Sequence, residues 1–269
     1  MAMSDGRYAP AATLFGLVQR GRGLGARMAL EDPTAVAELV RGCVRWDWRW
    51  DPADRRGLYL ARLVRDAGLP IGPLADLLAV DEDTCERATG VLELLALGGS
   101  AEAREALRAH VREGEYGRTA LESVAAGGRH PGPAEHGEVE DVPVLVAALE
   151  RDWVERRWCG PLDTARQLAR FGPAARDAVS LLRRFWLWTP HSSERAGYLE
   201  ALAAIDPTGL DAVYVECLWD CEDDARMLGI AHAPDGPDVR ARLAYLRDDP
   251  MEVPEVGAAA GARLAALTP

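Results

Sequence analysis

Apolar positions recur along this chain at intervals of three and four, the spacing that gathers side chains on one face of an α-helix. Leu63 and Ala67 make one such stripe, and Leu92, Leu95 and Ala96 another. Alternation with a period of two never persists, and isoleucine stands only at 71, 205 and 230, so neither pattern nor composition favours strands. The pattern predicts an all-α chain. Gly or Asp followed by Pro recurs at 32/33, 51/52, 72/73, 160/161, 172/173, 206/207 and 236/237. This is a cap or turn residue with proline in the first helical turn, where a missing N–H breaks no intrahelical bond. Starts and stops together predict two or three short helices over 8–39 and helices over 33–46, 52–67, 73–79, 83–97, 100–113 and 115–126. Further along they predict helices over 143–158, 161–171, 173–188, 191–205, 207–219, 221–231, 236–248 and 253–267.

Helices this short, joined by turns this tight, cannot hide their apolar faces alone, and pairs stacked on neighbouring pairs solve that problem. The clearest repetition runs from Ala165 to Leu182 (Ala-Arg-Gln-Leu-Ala-Arg-Phe-Gly-Pro-Ala-Ala-Arg-Asp-Ala-Val-Ser-Leu-Leu) and again from Glu194 to Pro207 (Glu-Arg-Ala-Gly-Tyr-Leu-Glu-Ala-Leu-Ala-Ala-Ile-Asp-Pro). These segments resemble the HEAT and HEAT-like repeat families, in which one helix ends in Leu-Gly or Ile-Asp-Pro and a second opens a few residues later. The resemblance extends over about 161–247 and, more loosely, 33–126, with uneven repeat lengths. It implies an α-α superhelix, a right-handed solenoid of about eight short helix pairs with a concave binding surface, and it implies no reaction. Residues 127–142 hold four glycines, two prolines and no apolar stripe. They divide the chain into N-terminal repeats over 1–127, a linker loop over 128–142 and C-terminal HEAT-like repeats over 143–269.

Composition then narrows the chemistry. All 31 basic residues are arginine, and lysine and asparagine are both absent. Schiff-base catalysis, the Walker A and kinase lysines, Ser-Lys dyads and Cys-His-Asn triads are thereby excluded. The net charge of −12 is unevenly spread: residues 1–65 carry 11 Arg against 7 acids, whereas residues 66–127 carry 5 against 12. Such a balance argues against nucleic acid as the main partner, because that binding rests on neutralising phosphates. The longest uncharged run, Tyr8 to Gln19, is twelve residues. That is short of the roughly 20 a membrane-spanning helix needs, and with no signal-peptide pattern the expected location is cytoplasmic. Five cysteines in a mid-sized chain suit a reduced compartment.

Four constellations could carry a ligand. Arg45-Trp-Asp-Trp-Arg-Trp-Asp-Pro sets Trp46, Trp48 and Trp50 beside Arg45, Arg49, Arg55 and Arg56. Such residues either stack a planar anion or wedge between helix pairs, with the arginines bound to Asp47, Asp51 and Asp54. Upstream, three glycines accompany Arg20, Arg22 and Arg27 at a helix start, either an anion cradle or a flexible turn. No strand precedes them, so the dinucleotide-binding fingerprint is rejected. In the second half Arg156, Arg157 and Trp158, then Arg183, Arg184, Phe185, Trp186 and Trp188, repeat the pairing of guanidinium and ring, as ligand contacts or as core. Finally Glu216, Asp220 and Asp223 fall on one helical face, able to hold an amine, to work as acid and base, or to be satisfied by arginine. Cys217 and Cys221 with a distant His232 lack the paired spacing of a structural zinc site. On one stripe with Leu210 and Val213 they read as core, so neither a metal nor a cofactor is implied.

No nucleophile stands out: Gly-x-Ser-x-Gly is missing, and Ser192 and Ser193 after His191 read as a helix cap. The leading expectation is a non-enzymatic binding or scaffold module, its concave Arg/Trp-lined face holding a protein, a peptide or a small anionic or planar ligand. The alternative is an enzyme similar to the HEAT-like alkylpurine DNA glycosylases, for which Asp47, Asp51 and Asp220 supply the residue type. A small-molecule enzyme is a third class, supported by the aromatic segments alone.

Overall fold

The computed structural model describes residues 8–46, 55–113, 139 and 142–267. Among these residues the chain is all-helical, without a strand. The first half carries α1 (Leu14–Gln19), α2 (Gly23–Leu30), α3 (Pro33–Trp46), α4 (Arg56–Asp66), α5 (Gly72–Ala75), α6 (Glu82–Leu97) and α7 (Ala101–Glu113). The second carries α8 (Val142–Val154), α9 (Pro161–Ala169), α10 (Val179–Trp188), α11 (Arg195–Ile205), α12 (Asp211–Cys217), α13 (Asp223–His232), α14 (Pro237–Asp248) and α15 (Pro254–Leu267). None is long and apolar enough to cross a membrane. The predicted helix over 115–126 lies outside the described residues, as does the linker over 128–142 except for 139 and 142.

Local chemistry places the ends. Proline opens α3, α9, α14 and α15. Thr13 caps α1 by accepting the Gly16 N–H at 3.1 Å, and Asp81 caps α6 through the Thr84 N–H at 2.9 Å and hydroxyl at 2.8 Å. Those two bonds hold the Asp81 carboxyl below the usual range. Two predicted helices are cut short. The chain from Gly172 to Ala178 winds as a 3₁₀ turn before α10, interrupted at Ala175, rather than as one helix over 173–188. The helix expected over 207–219 is the seven-residue α12, because a turn with Gly209 at φ +73° precedes it and the chain leaves the helix after Cys217. Cys217 and Cys221 are therefore both buried, as expected of core thiols, yet not on one helical stripe. Cys217 packs in the second-half core and Cys221 in the first.

Consecutive helices pack as neighbours: α6 on α7, α8 on α9, α10 on α11, α12 on α13 and α14 on α15. Two apolar cores result. One runs from Val18 to Ala103 and takes in Cys221 and Met251 from the second half; the other runs from Val142 to Ala260 and has Tyr8 packed against it. Trp219 packs against both cores. The seam between them is closed by the turn from α1 to α2. There Gly21 adopts φ +62°, and a Cβ on it would sit 2.5 Å from the Cys221 sulfur. A Cβ on Gly23 would sit 1.9 Å from the Glu216 carbonyl oxygen, so the run of glycines expected to be flexible is instead a place of close approach.

Replacing Gly23 with Ala must push α2 off α12, since backbone rather than a mobile side chain blocks the new methyl. Urea unfolding should show a loss of about 2–4 kcal/mol; an unchanged midpoint would contradict this packing.

Candidate functional site

The seam collects arginines that lie far apart in sequence. Arg22, 2% exposed, donates from Nε and Nη2 to the two carboxylate oxygens of Glu216 at 2.6 and 2.9 Å. Its guanidinium also lies 3.7 Å from the Trp186 ring centre and reaches the Leu187 carbonyl at 3.4 Å. Arg20 donates to the carbonyls of Trp188 at 3.1 Å, Ala9 at 2.8 Å and Gly16 at 3.0 Å, with the Trp188 ring 5.9 Å away. Arg195 grips Asp220 at 3.1 and 2.7 Å and ties down the Arg20 carbonyl at 2.5 Å. The fully buried Arg226 binds Glu252 at 2.9 and 2.6 Å, and Arg62 bridges Asp249 and Glu252 at 2.8 and 2.7 Å. Buried Glu222 accepts from the Ser192 hydroxyl at 2.6 Å and the Arg55 N–H at 3.1 Å, so Ser192 serves the seam rather than a helix cap.

Arg22, Trp186, Trp188, Glu216 and Asp220 are thus brought together from three separate segments; Arg22 satisfies Glu216 and lies on Trp186, Arg195 holds Asp220 and Arg20 reaches Trp188. Asp223 lies apart, half-buried and 3.7 Å from the exposed Arg55. Arg183 donates to the Thr208 carbonyl at 2.8 Å, and the exposed Arg184 stands 5.9 Å from the Trp153 ring. Arg45 is exposed, and its carbonyl accepts from Arg87 at 3.4 Å. The Trp46 side chain, Trp48, Arg49 and Trp50 lie outside the described residues, as do Asp47 and Asp51. Trp153, Trp158, Phe185 and Trp188 form an edge-to-face cluster with centroids 5.6–6.1 Å apart, a core arrangement that Tyr198 extends by stacking on Phe185.

One buried arginine lines a surface groove. Arg242 on α14 is 7% exposed and donates from Nε to the Leu218 carbonyl at 3.1 Å, yet no carboxylate among the described residues pairs with it. Burial pulls its guanidinium down to about 10 and the nearby positive charge of Arg62 deepens the shift, against the hydrogen-bonded Tyr245 and the Asp66 carboxylate, which favour the charged form. Its charge is held between two rings, with the Tyr245 centroid at 4.0 Å and that of Trp219 at 5.0 Å. Arg27 stands over the same indole at 5.2 Å, again with no carboxylate partner among the described residues. Asp66 is occupied, accepting from the Tyr245 hydroxyl at 2.7 Å and from Arg65 at 3.0 Å. Burial and this carboxylate push the Tyr245 hydroxyl up to about 12.

These side chains line a groove of about 420 Å³ between α2, α4 and α14, with Arg27, Leu30, Trp219, Ala241 and Arg242 on its walls and Asp66 and Asp238 at its edge. A second hollow of about 460 Å³ continues it along α14 past Ala241 and Tyr245. The groove therefore crosses the seam, with walls from both halves. Sequence reasoning placed Arg27 near a possible anion site but missed Trp219, Arg242 and Tyr245. The spacing of 238, 241, 242 and 245 on one face of α14 was a legible signal. The meeting of that face with Arg27 and Trp219 was not. No protein-family model matches the chain, and no curated protein or solved structure matches it.

Two variants check the seam. Glu216→Ala leaves the Arg22 charge buried without its partner and should lower stability by about 3–5 kcal/mol, whereas Arg22→Met with Glu216→Leu should recover most of that in denaturant unfolding. Glu194, whose carboxyl burial raises to about 7 against the hydrogen bonds from Tyr198 and Thr189, gives a pH test. Its folded form keeps a proton that the unfolded chain releases, so its contribution to stability falls as pH rises from about 4.5 to about 7, by at most ~3 kcal/mol. Glu194→Gln should therefore match the parent in melting temperature at pH 5 and exceed it at pH 8. Equal differences at both pH values would refute the raised carboxyl.

Proposed function

We propose that the protein is a non-enzymatic binding module, a HEAT-like α-solenoid in which the groove across the seam holds an anion-bearing ligand. The observation that carries this reading is Arg242, a buried guanidinium set between Trp219 and Tyr245 with no ion-pairing carboxylate among the described residues. Burying such a charge is unfavourable unless something compensates it, and four other buried arginines of the seam, Arg22, Arg62, Arg195 and Arg226, are each met by a carboxylate. An anion entering the groove supplies the compensation that the chain leaves out. The solenoid part of the proposal is supported by the packing of consecutive helices as pairs.

A binding role is favoured over a catalytic one because the acids that a reaction would draw on are already committed. Glu216 is held by Arg22 and Asp220 by Arg195, at distances that leave both carboxylates saturated by guanidinium. The aromatic cluster around Trp153 and Trp188 is likewise filled by its own rings.

Calorimetric titration with small organic anions tests the proposal. An anion that binds should also raise the melting temperature of the intact chain, and Arg27→Gln at the exposed rim should weaken binding about three- to tenfold without changing the stability of the free protein. If no anion binds or protects, the reading fails.

A further inference from the structure

Of the five thiols in the chain, Cys43, Cys85, Cys217 and Cys221 are buried and Cys159 alone is exposed. Its sulfur lies 3.7 Å from Nε2 of His191. We propose that Cys159 is a nucleophilic thiol with His191 as its base, and that the pair is a site of covalent modification by small hydroperoxides. The pair stands apart from the groove, and neither role depends on the other.

The fold presents this thiol instead of hiding it. Residue 159 follows Trp158, which is 4% exposed and packs edge-to-face on Trp153 and Phe185 with centroids 6.0 Å away in each case. Left-handed backbone stands on both sides, at Arg156 with φ +53° and at Gly160 with φ +111°. Gly160 caps α9, and its carbonyl accepts the Asp163 N–H at 3.0 Å. A buried indole on one side and a helix on the other thus fix the backbone that carries the exposed sulfur. His191 is held as firmly. Its N–H donates to the hydroxyl oxygen of the buried Thr189 at 3.2 Å, and its carbonyl accepts the Glu194 N–H at 3.2 Å.

A sulfur and a ring nitrogen in hydrogen-bond contact are a nucleophile and base in position. With its own proton on Nδ1, the imidazole accepts the thiol hydrogen at Nε2 and leaves a thiolate, the reactive form of cysteine. The thiolate attacks one oxygen of the hydroperoxide. A sulfur–oxygen bond forms, the O–O bond breaks, and the departing oxygen takes the proton from the imidazolium. Cys159 ends as a sulfenic acid, oxidised by two electrons, and hydrogen peroxide is reduced to water. A hydroperoxide suits the pair because it brings its own leaving group and needs no pocket. No other cysteine is exposed to close a disulfide, so the sulfenic acid persists until a small-molecule thiol condenses with it and releases water.

A second Cys–His contact shows what exposure adds. Cys85 lies 3.4 Å from Nε2 of His110 but is 3% exposed. Burial, with Asp81, Glu82 and Glu86 adding to it, pushes the Cys85 thiol up against the hydrogen bond from Thr89. Both thiols touch an imidazole, and only Cys159 meets solvent.

The test treats the intact chain with hydrogen peroxide in the presence of dimedone and, separately, with iodoacetamide, and locates the adducts by peptide mass spectrometry. Cys159 should be modified before the other four, and about tenfold or more faster than in the guanidinium-unfolded chain, where no base is held beside it. His191→Gln should slow the folded reaction by about tenfold and leave the unfolded rate as it was. A melting curve establishes that the variant is folded, and the comparison of folded with unfolded parent chain stands without the variant. A Cys159 rate no higher in the folded chain, or one that a folded His191→Gln leaves unchanged, overturns the dyad. Earlier modification of Cys85 does the same. Fast alkylation without a dimedone adduct after peroxide overturns the hydroperoxide and leaves the nucleophile standing.

Discussion

Burying guanidinium groups is the constraint on which this structure turns. The seam between the two apolar cores contains Arg20, Arg22, Arg56, Arg62, Arg195, Arg226 and Arg242, each less than a tenth exposed. Removing such charges from water is expensive, and it is tolerated only where the fork finds oxygens for its donors. Glu216, Asp220, Asp249 and Glu252 meet four of the arginines, and main-chain carbonyls at Gly16, Gln19, Trp188 and Leu218 meet the others. Because Arg22–Glu216 and the pairs of Arg62 with Asp249 and Glu252 join segments 187–194 residues apart, these ion pairs fix how the two halves sit on one another. The apolar cores supply the driving force of burial but little of this register.

The same network explains why arginine alone could serve here. A lysine ammonium is a point charge on a flexible stem, whereas Arg195 holds Asp220 with two nitrogens and still reaches the carbonyl of Arg20. Close approach is the second requirement. Gly21 and Gly23 let the α1–α2 turn lie against Cys221 and Glu216, which brings Arg20 and Arg22 within reach of their partners. Stability and geometry are thus linked at one place, and a methyl group there disturbs both.

Arg242 marks where this scheme stops. Four of its neighbours along the seam are neutralised by carboxylates, but α14 passes Trp219 and Tyr245 with no ion-pairing acid for Arg242 among the described residues. Aromatic faces stabilise a cation less than a carboxylate does, and Arg242 lines the groove across the seam. Under the proposed binding role, a site of this kind is made by omission. Supplying the missing carboxylate from within would give one more structural ion pair and close the groove to a ligand.

Much of the local structure was legible along the chain. Apolar spacing and the Gly-Pro and Asp-Pro steps located α3, α6, α11, α14 and α15 closely, because helical period and capping act within a few residues. The shortened α12 escaped, since only the turn through Gly209 and the pull of Cys221 into the other core end it. The Arg and Trp clusters were visible as composition, with ligand contact and core packing both open; Arg22 and Trp186 face each other and Glu216 inside the seam. Conversely Arg27, Trp219, Arg242 and Tyr245 looked ordinary until α2 and α14 met. By itself the sequence determined an all-helical chain, most of its helix limits and its reliance on arginine for side-chain cations, because those follow from short-range periodicity and residue type. Which arginines are neutralised and which one is left facing a groove depends on contacts between residues far apart in the chain, and only the tertiary structure decided it.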